Sequence, residues 1–229
     1  MKNLLIAILS LTTFIAQAQQ NADWANLKRF DNENSKVPPP ASGEKRVVYM
    51  GDSITDFWIS ADSVFFAGKG YYDRGISGQT TPQMLVRFRE DVINLKPSVV
   101  VILAGINDIA QNTGPEKLED AFGNIESMVQ LAQAAHIKVV ISSTLPANRI
   151  PWRPAIDPTE KVIQLNQMLK DYAGKNNIVY LDYYSAMVDS EKGLSKNLSK
   201  DGVHPSLEGY KAMEPLAEKA IAEALKKKK

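Results

Sequence analysis

The chain contains the stretch Met50-Gly51-Asp52-Ser53-Ile54-Thr55. It follows a short apolar run at residues 46–50, which predicts a buried strand, and precedes residues 56–66, which can form a helix. Ser53 is then placed at a strand-to-helix turn, where the backbone N–H groups of the new helix are unpaired and favour negative charge. This position suits a nucleophile, although Asp52 and Ser53 could equally act as a simple helix cap.

Short runs rich in Val and Ile recur along the chain and alternate with longer segments of helical spacing. The predicted strands are residues 46–50, 98–104, 138–144 and 178–182, with a weaker one at 71–74, and the predicted helices are 82–94, 115–135, 160–176 and 206–226. Continuous apolar strands alternating with helices are typical of a parallel sheet covered on both faces. We therefore predict an α/β protein whose ligand site lies at the carboxyl ends of the strands.

A serine nucleophile needs a base, and the base needs an acceptor for its second ring nitrogen. The chain has two histidines, and His136 falls at the opposite edge of the predicted sheet, which favours a structural role. His204 follows Asp201 by three residues in a turn before the last helix. This spacing lets the Asp201 carboxylate hold one ring nitrogen while the other faces Ser53. Taken alone, the same pair could form only a capping turn.

Hydrolysis also requires donors to the oxyanion. The backbone N–H groups of Ser53 and Gly78 and the side-chain amide of Asn107 could converge from three adjacent loops. Gly78 would let substrate approach the backbone closely, and Asn107 would supply a neutral donor. Each has a simpler alternative, a turn for Gly78 and a helix cap for Asn107.

Four blocks of the sequence occur together in a fixed order. They are Gly51-Asp52-Ser53-Ile54, Arg74-Gly75-Ile76-Ser77-Gly78, Gly105-Ile106-Asn107-Asp108 and Asp201-Gly202-Val203-His204-Pro205. With these blocks the chain resembles the SGNH hydrolases, or GDSL esterase and lipase family, from about residue 46 to the C-terminal helix. Ile54 stands where the family name has Leu, and Arg74 where many members have Asn.

The resemblance implies a three-layer α/β/α, flavodoxin-like parallel sheet and a serine esterase that needs no cofactor. It implies Ser53 as nucleophile, His204 as general base and acid, and Asp201 as the carboxylate that orients His204. Ser53, Gly78 and Asn107 would form the oxyanion hole.

The substrate is less defined by the sequence. Asp52, Trp58, Arg149 and Trp152 are candidate substrate-binding residues, although the two tryptophans could equally be packing anchors. No long apolar insertion resembles the lid of a lipase. We predict a hydrolase of short-acyl esters, with acetylated carbohydrates as the leading substrate. A lysophospholipase or thioesterase, or a non-catalytic carbohydrate-binding protein on the same fold, is the alternative.

Composition restricts the partners and the compartment. Lys2, the apolar run at residues 4–15 and the small residues before position 19 predict a signal peptide at residues 1–18, with cleavage after Ala18. We thus expect a secreted or periplasmic protein without stable membrane insertion. The chain has 27 basic and 26 acidic residues and no Cys, which argues against nucleic acid as a partner and excludes disulfides, thiol nucleophiles and lipid attachment through Cys.

The sequence divides into three parts, of which the first is the predicted signal peptide. An extended lead-in is predicted at residues 19–45, packing through Trp24, Leu27 and Phe30, and one hydrolase domain at residues 46–229. With two histidines, no cysteine and no dense carboxylate cluster, no metal site is expected. The sequence leaves the oligomeric state open.

Overall fold

The computed structural model describes residues 23–227 of the chain. The predicted signal peptide at residues 1–18 and the last two lysines lie outside the described residues. Between residues 23 and 227, no helix is both long enough and apolar enough to cross a lipid bilayer.

Five strands form one parallel sheet. They are β1 (Val47–Gly51), β2 (Tyr71–Gly75), β3 (Val99–Leu103), β4 (Lys138–Ser142) and β5 (Val179–Leu181), and their order in the sheet is β2-β1-β3-β4-β5. All residues of β1 and β3 are buried, as expected for strands covered on both faces. Since the chain runs outward from β1 in both directions, the crevice beside β1 and β3 is the place where such sheets bind ligands.

Helices cover the two faces of the sheet. They are α1 (Asp31–Asn34), α2 (Ser53–Ala61), α3 (Ser63–Phe66), α4 (Thr81–Asp91), α5 (Ile106–Ile109), α6 (Leu118–Ala134), α7 (Thr159–Lys175), α8 (Tyr183–Met187) and α9 (Leu207–Lys226). Helices α4, α6 and α7 contact one another in series, and so do α2, α9 and α8, while both groups contact the strands. This arrangement confirms the predicted three-layer α/β/α fold.

An aromatic cluster fixes the last helix against α2. The Trp58 ring stacks on Phe65 at a centroid distance of 5.0 Å and on Tyr210 of α9 at 5.3 Å. The Tyr210 hydroxyl donates to the carbonyl oxygen of Ile54 at 2.9 Å. Each aromatic pair adds about 1 kcal/mol beyond its burial. The two ends of the domain are thereby joined beside the carboxyl ends of the strands.

One predicted helix is divided in the structure. The segment predicted at residues 56–66 begins at Ser53 and is interrupted at Asp62. The Asp62 carboxylate accepts a hydrogen bond from the N–H of Val64 at 3.1 Å and so starts α3 as a separate helix. An aspartate that caps a new turn is hard to distinguish in sequence from one exposed on a continuous helix.

The described part of the lead-in is not extended as predicted. It forms a 3₁₀ turn at Leu27–Arg29, followed by α1. Phe30 is buried, with the Arg74 guanidinium 4.6 Å from its ring, whereas Trp24 is 49% exposed and Leu27 38% exposed. Of the three side chains predicted to pack on the domain, only Phe30 is therefore buried.

Candidate active site

Ser53 lies at the turn between β1 and α2. Asp52 caps the helix, since its Oδ1 accepts a hydrogen bond from the N–H of Ile54 at 2.9 Å. Gly51 is required before this turn because a Cβ at that position would overlap the Thr55 hydroxyl. The glycine thus lets α2 start immediately at the end of β1, which places Ser53 at the carboxyl edge of the sheet.

A continuous chain of hydrogen bonds joins Ser53, His204 and Asp201. The Ser53 Oγ lies 2.9 Å from His204 Nε2, and His204 Nδ1 lies 2.7 Å from Asp201 Oδ2. In a neutral imidazole with this geometry, the Nδ1 proton is held by Asp201 and the Nε2 lone pair faces the Ser53 hydroxyl. The imidazole can therefore accept the proton that Ser53 loses on attacking a carbonyl carbon. A protein that only binds ligands does not need this arrangement.

Asp201 is stabilised as an anion by its own turn. Its Oδ1 accepts from the backbone N–H groups of Val203 at 2.9 Å and His204 at 2.8 Å, and from the Ser199 hydroxyl at 3.2 Å. Partial burial alone would raise the pKa of Asp201, but the bonds from the His204 ring and from the two N–H groups lower it to about 2. The carboxylate is thus charged at neutral pH and presents Oδ2 to His204.

Gly78 and Asn107 lie together in the loops after β2 and β3. The Asn107 Nδ2 donates to the carbonyl oxygen of Gln79 at 3.0 Å, and the amide carries a second hydrogen that can serve an oxyanion. Gly78 has a φ of 79°, which strains any residue with a side chain. Because β1 pairs with β2 on one side and β3 on the other, both loops leave the sheet next to the Ser53 turn. The assignment of these donors stays a prediction.

A network of buried polar side chains stabilises these loops. The Arg87 Nη2 donates to the carbonyl oxygen of Gly51 at 2.9 Å, and its Nη1 to the Asp91 carboxylate at 3.0 Å. Its Nε donates to the side chain of Gln79, whose Nε2 donates to the carbonyl oxygen of Ala25 at 2.7 Å. A guanidinium is tolerated in the interior when its donors are paired in this way. The network connects the lead-in to the loops of the site, a link absent from the sequence prediction.

Two partly exposed aromatic rings flank His204. The Phe57 ring lies 5.3 Å from the imidazole and is 44% exposed, and the Trp152 ring lies 5.8 Å away and is 38% exposed. Trp152 was a predicted substrate-binding residue, and the structure places it at the site. Phe57 was missed by the sequence prediction. The signal for it is its position four residues after Ser53, which puts the two side chains on one face of α2.

Two predicted substrate-binding residues are wrong. Asp52 is 0% exposed and serves as the cap of α2, so its carboxylate does not reach a ligand. Trp58 is 2% exposed, and its indole packs in the core between Phe65 and Tyr210. Helical geometry explains the second error, because Trp58 is one residue beyond Phe57 and turns about 100° away from the site.

Arg149, the remaining candidate, borders the site because its side chain contacts the backbone of the Asp201 turn. Its Nε donates to the carbonyl oxygen of Asp201 at 3.1 Å, and its side chain is otherwise exposed. Its role in substrate binding stays a prediction. Across residues 23–227, no three His, Asp or Glu side chains are grouped so as to hold a metal ion.

The cap residue Asp52 is expected to make stability depend on pH. Burial raises its pKa from 3.8 to about 7, and the nearby Asp108 carboxylate acts in the same direction. Between these two values the folded protein keeps a proton that the unfolded chain has lost. The free energy of unfolding therefore falls as the pH rises from about 4 to about 7.

We expect Asp52→Asn to remove this contribution. The amide keeps an oxygen for the Ile54 N–H but does not titrate, so the variant should gain stability relative to wild type as the pH rises, by roughly 4 kcal/mol at most. Urea unfolding at pH 5, 6, 7 and 8 measures the difference. The control is Asp157→Asn, an exposed carboxylate that also accepts a backbone N–H but whose pKa is lowered by its bonds from Thr159. Parallel pH curves for Asp52→Asn and wild type would contradict the prediction.

Comparison with known proteins identifies the family. Residues 49–212 match the GDSL-like lipase/acylhydrolase family. The chain belongs to this family, which confirms the resemblance seen in the four sequence blocks. It is a carboxylic-ester hydrolase.

Relatives and solved structures agree with this assignment. The chain is 30% identical over 204 residues to an acetylxylan esterase of Geobacillus stearothermophilus, covering 74% of this chain and 90% of the relative. Its fold matches a GDSL-like lipase of Bacteroides thetaiotaomicron with a TM-score of 0.86 and 49% identity, covering 87% of this chain and 98% of the other. A predicted acylhydrolase of Bacteroides fragilis matches with a TM-score of 0.87 and 52% identity, covering 89% and 99% of the two chains.

Proposed function

We propose that this esterase removes short acyl groups, acetyl above all, from carbohydrates, and that Ser53, His204 and Asp201 are its catalytic triad. The observation that carries the proposal is the chain of hydrogen bonds from Ser53 Oγ through His204 to Asp201, at 2.9 and 2.7 Å, flanked by two exposed aromatic rings. The bonds account for acyl transfer, and the rings account for the alcohol that is released.

In the proposed mechanism, Ser53 Oγ bonds to the ester carbonyl carbon while His204 Nε2 takes the hydroxyl proton. The carbonyl electron pair moves to its oxygen, which accepts hydrogen bonds from the N–H groups of Ser53 and Gly78 and the amide of Asn107. The carbonyl then re-forms, the bond to the alcohol oxygen breaks, and His204 protonates that oxygen. Water attacks the acyl-Ser53 ester with His204 again as base, releasing the carboxylic acid and restoring the serine hydroxyl.

The position of the aromatic rings identifies the side of the site that receives the alcohol. The departing oxygen must lie within hydrogen-bond distance of His204 Nε2 to be protonated. The alcohol part of the ester therefore lies beside the imidazole, next to Phe57 and Trp152. The face of an aromatic ring is apolar and carries partial negative charge, which suits the C–H face of a sugar ring. This placement supports a carbohydrate as the alcohol.

Acetyl is the acyl group that the relatives support. Besides the Geobacillus stearothermophilus enzyme, an acetylxylan esterase of Xylanibacter ruminicola is 24% identical to this chain over 233 residues, a match that covers 47% of that relative. The signal-peptide pattern at residues 1–18 supports export, so the proposal also includes cleavage after Ala18. The mass of the protein recovered from the periplasm or medium of the producing cell would test the cleavage site.

Ester preference tests the proposed substrate. We expect kcat/KM to fall along the series p-nitrophenyl acetate, butyrate, octanoate and palmitate, and we expect release of acetate from acetylated xylo-oligosaccharides. On the oligosaccharide, Phe57→Ala should raise KM about 10-fold through lost contact with the sugar. The matched control is Ile59→Ala, a residue of the same helix that is 42% exposed, and its KM should not change.

Other outcomes overturn the proposal. A rise in kcat/KM with chain length, together with fatty-acid release from a lysophospholipid, would establish a lipid-directed esterase instead. An unchanged KM in Phe57→Ala would remove the Phe57 ring from the sugar-binding role.

A further inference from the structure

Asn112 forms hydrogen bonds to Gly78 and Asn107, two of the predicted oxyanion-hole residues. Its Nδ2 donates to Asn107 Oδ1 at 2.8 Å and to the carbonyl oxygen of Gly78 at 3.1 Å. Its backbone N–H also donates to the carbonyl oxygen of Asn107 at 3.0 Å. The preceding residue, Gln111, has a left-handed φ of 57°, which turns the chain after α5 back toward Asn107. Asn112 therefore holds Asn107 by both main chain and side chain.

These contacts determine which end of the Asn107 amide faces the reaction. With Oδ1 bound to the Asn112 amide and Nδ2 bound to the carbonyl of Gln79, only one orientation of the amide satisfies both partners. Without the Asn112 donor, the amide of the buried Asn107 can rotate and turn its oxygen toward the forming oxyanion. Such a rotation replaces a hydrogen-bond donor with a repulsive acceptor, and it therefore destabilises the transition state.

A third contact connects Asn112 to the alcohol side of the site. Its Oδ1 accepts a hydrogen bond from Trp152 Nε1 at 3.0 Å. The indole nitrogen is only a donor, so its bond also fixes the Asn112 amide with Nδ2 directed at Asn107 and Gly78. The ring that flanks His204 and the residue that orients the oxyanion donor are thus directly bonded.

We propose that Asn112 is a positioning residue that couples the Trp152 side of the site to the oxyanion hole. This inference rests on the proposed role of Asn107 as an oxyanion donor. Asn112 holds the Asn107 amide in its donating orientation, and Trp152 holds Asn112. A substrate that packs on Trp152 therefore stabilises the geometry that the transition state needs.

Kinetics of single variants separate this role from binding and from stability. We expect Asn112→Ala to lower kcat about 10-fold, with KM within about twofold of wild type, since the neutral hydrogen bond that orients the Asn107 amide is lost. Asn112→Asp should lose at least as much, because the carboxylate can still accept from Trp152 but cannot donate to Asn107 or Gly78. The control is Asn176→Ala, an exposed asparagine whose Nδ2 donates to the carbonyl of Tyr172, and its kcat should match wild type.

Double variants test the coupling itself. Asn107→Ala should lower kcat by about 10² to 10³, and Asn112→Ala should cause no further loss in that background. Trp152→Phe keeps the ring but removes the N–H. We expect it to lower kcat about threefold in wild type and to have no effect in Asn112→Ala.

The results distinguish this inference from the proposed substrate. The assays use whichever p-nitrophenyl ester wild type hydrolyses fastest, so a preference for long acyl chains overturns the acetyl-ester proposal and leaves the Asn112 result standing. The inference is overturned by multiplicative losses in Asn107→Ala/Asn112→Ala, or by an Asn112→Ala effect confined to KM or to the melting temperature.

Discussion

Ser53→Ala is expected to lower kcat for ester hydrolysis by about 10⁴ to 10⁶ while the fold is unchanged. The variant removes the only protein atom that the proposed mechanism bonds to the acyl carbon, and His204 Nε2 loses its partner at 2.9 Å. Ser53 is 6% exposed, so loss of one oxygen leaves at most a small void at the edge of the site. The melting temperature should therefore stay close to that of wild type.

Turnover of p-nitrophenyl acetate and the thermal unfolding midpoint measure the two expectations together. The control is Ser127→Ala on α6, whose hydroxyl donates to the carbonyl oxygen of Gly123 at 2.8 Å and which lies outside the site. It should keep wild-type turnover. Unchanged kcat in Ser53→Ala would remove Ser53 as the nucleophile, and a large fall in melting temperature would leave a structural role instead.

Asp201→Asn is expected to lower kcat by about 10⁴, the second largest effect. The Oδ1 of Asp201 accepts two backbone N–H groups, so the oxygen of the new amide should remain there and its nitrogen should face His204 Nδ1. A donor at that position favours the tautomer with the proton on Nε2. This nitrogen then faces Ser53 as a donor and cannot take its proton.

Steady-state kinetics at neutral pH check the expectation, with Asp182→Asn as the matched control. Asp182 also caps a turn, accepting from the N–H of Ser185 at 2.9 Å, but it lies at the start of α8 and should not affect kcat. A loss smaller than about 10-fold in Asp201→Asn would mean that the orienting carboxylate contributes little.

The fold could be predicted from the sequence because its signals are local. The continuous apolar runs identify four of the five strands, and the intervening helical periodicity identifies the layers. The proposed catalytic residues Ser53, His204 and Asp201 could also be selected from the sequence, since serine chemistry restricts the choice of base in a chain with two histidines and no cysteine. The strand and helix ends differ where capping contacts such as that of Asp62 decide, and the short helices α1, α5 and α8 were not predicted.

The surroundings of the site could not be predicted in the same way. Trp58 and Trp152 have the same chemistry, and only the tertiary structure places one in the core and the other beside His204. Asn112 is one polar residue in a loop, and its three side-chain contacts come from loops brought together by the sheet. Contacts between distant loops depend on the completed packing, which no short pattern in the sequence encodes.

The contact between Ser53 and His204 spans 151 residues, and that between Ile54 and Tyr210 spans 156. The proposed nucleophile therefore follows the first strand of the chain, and its proposed base precedes the last helix. Bringing such distant parts together is slow compared with local folding, because the long intervening chain must first be ordered. A chain that is synthesised or exported from its N-terminus should thus be inactive until almost its whole length has emerged and folded. Ester hydrolysis by this enzyme therefore reports that folding is complete.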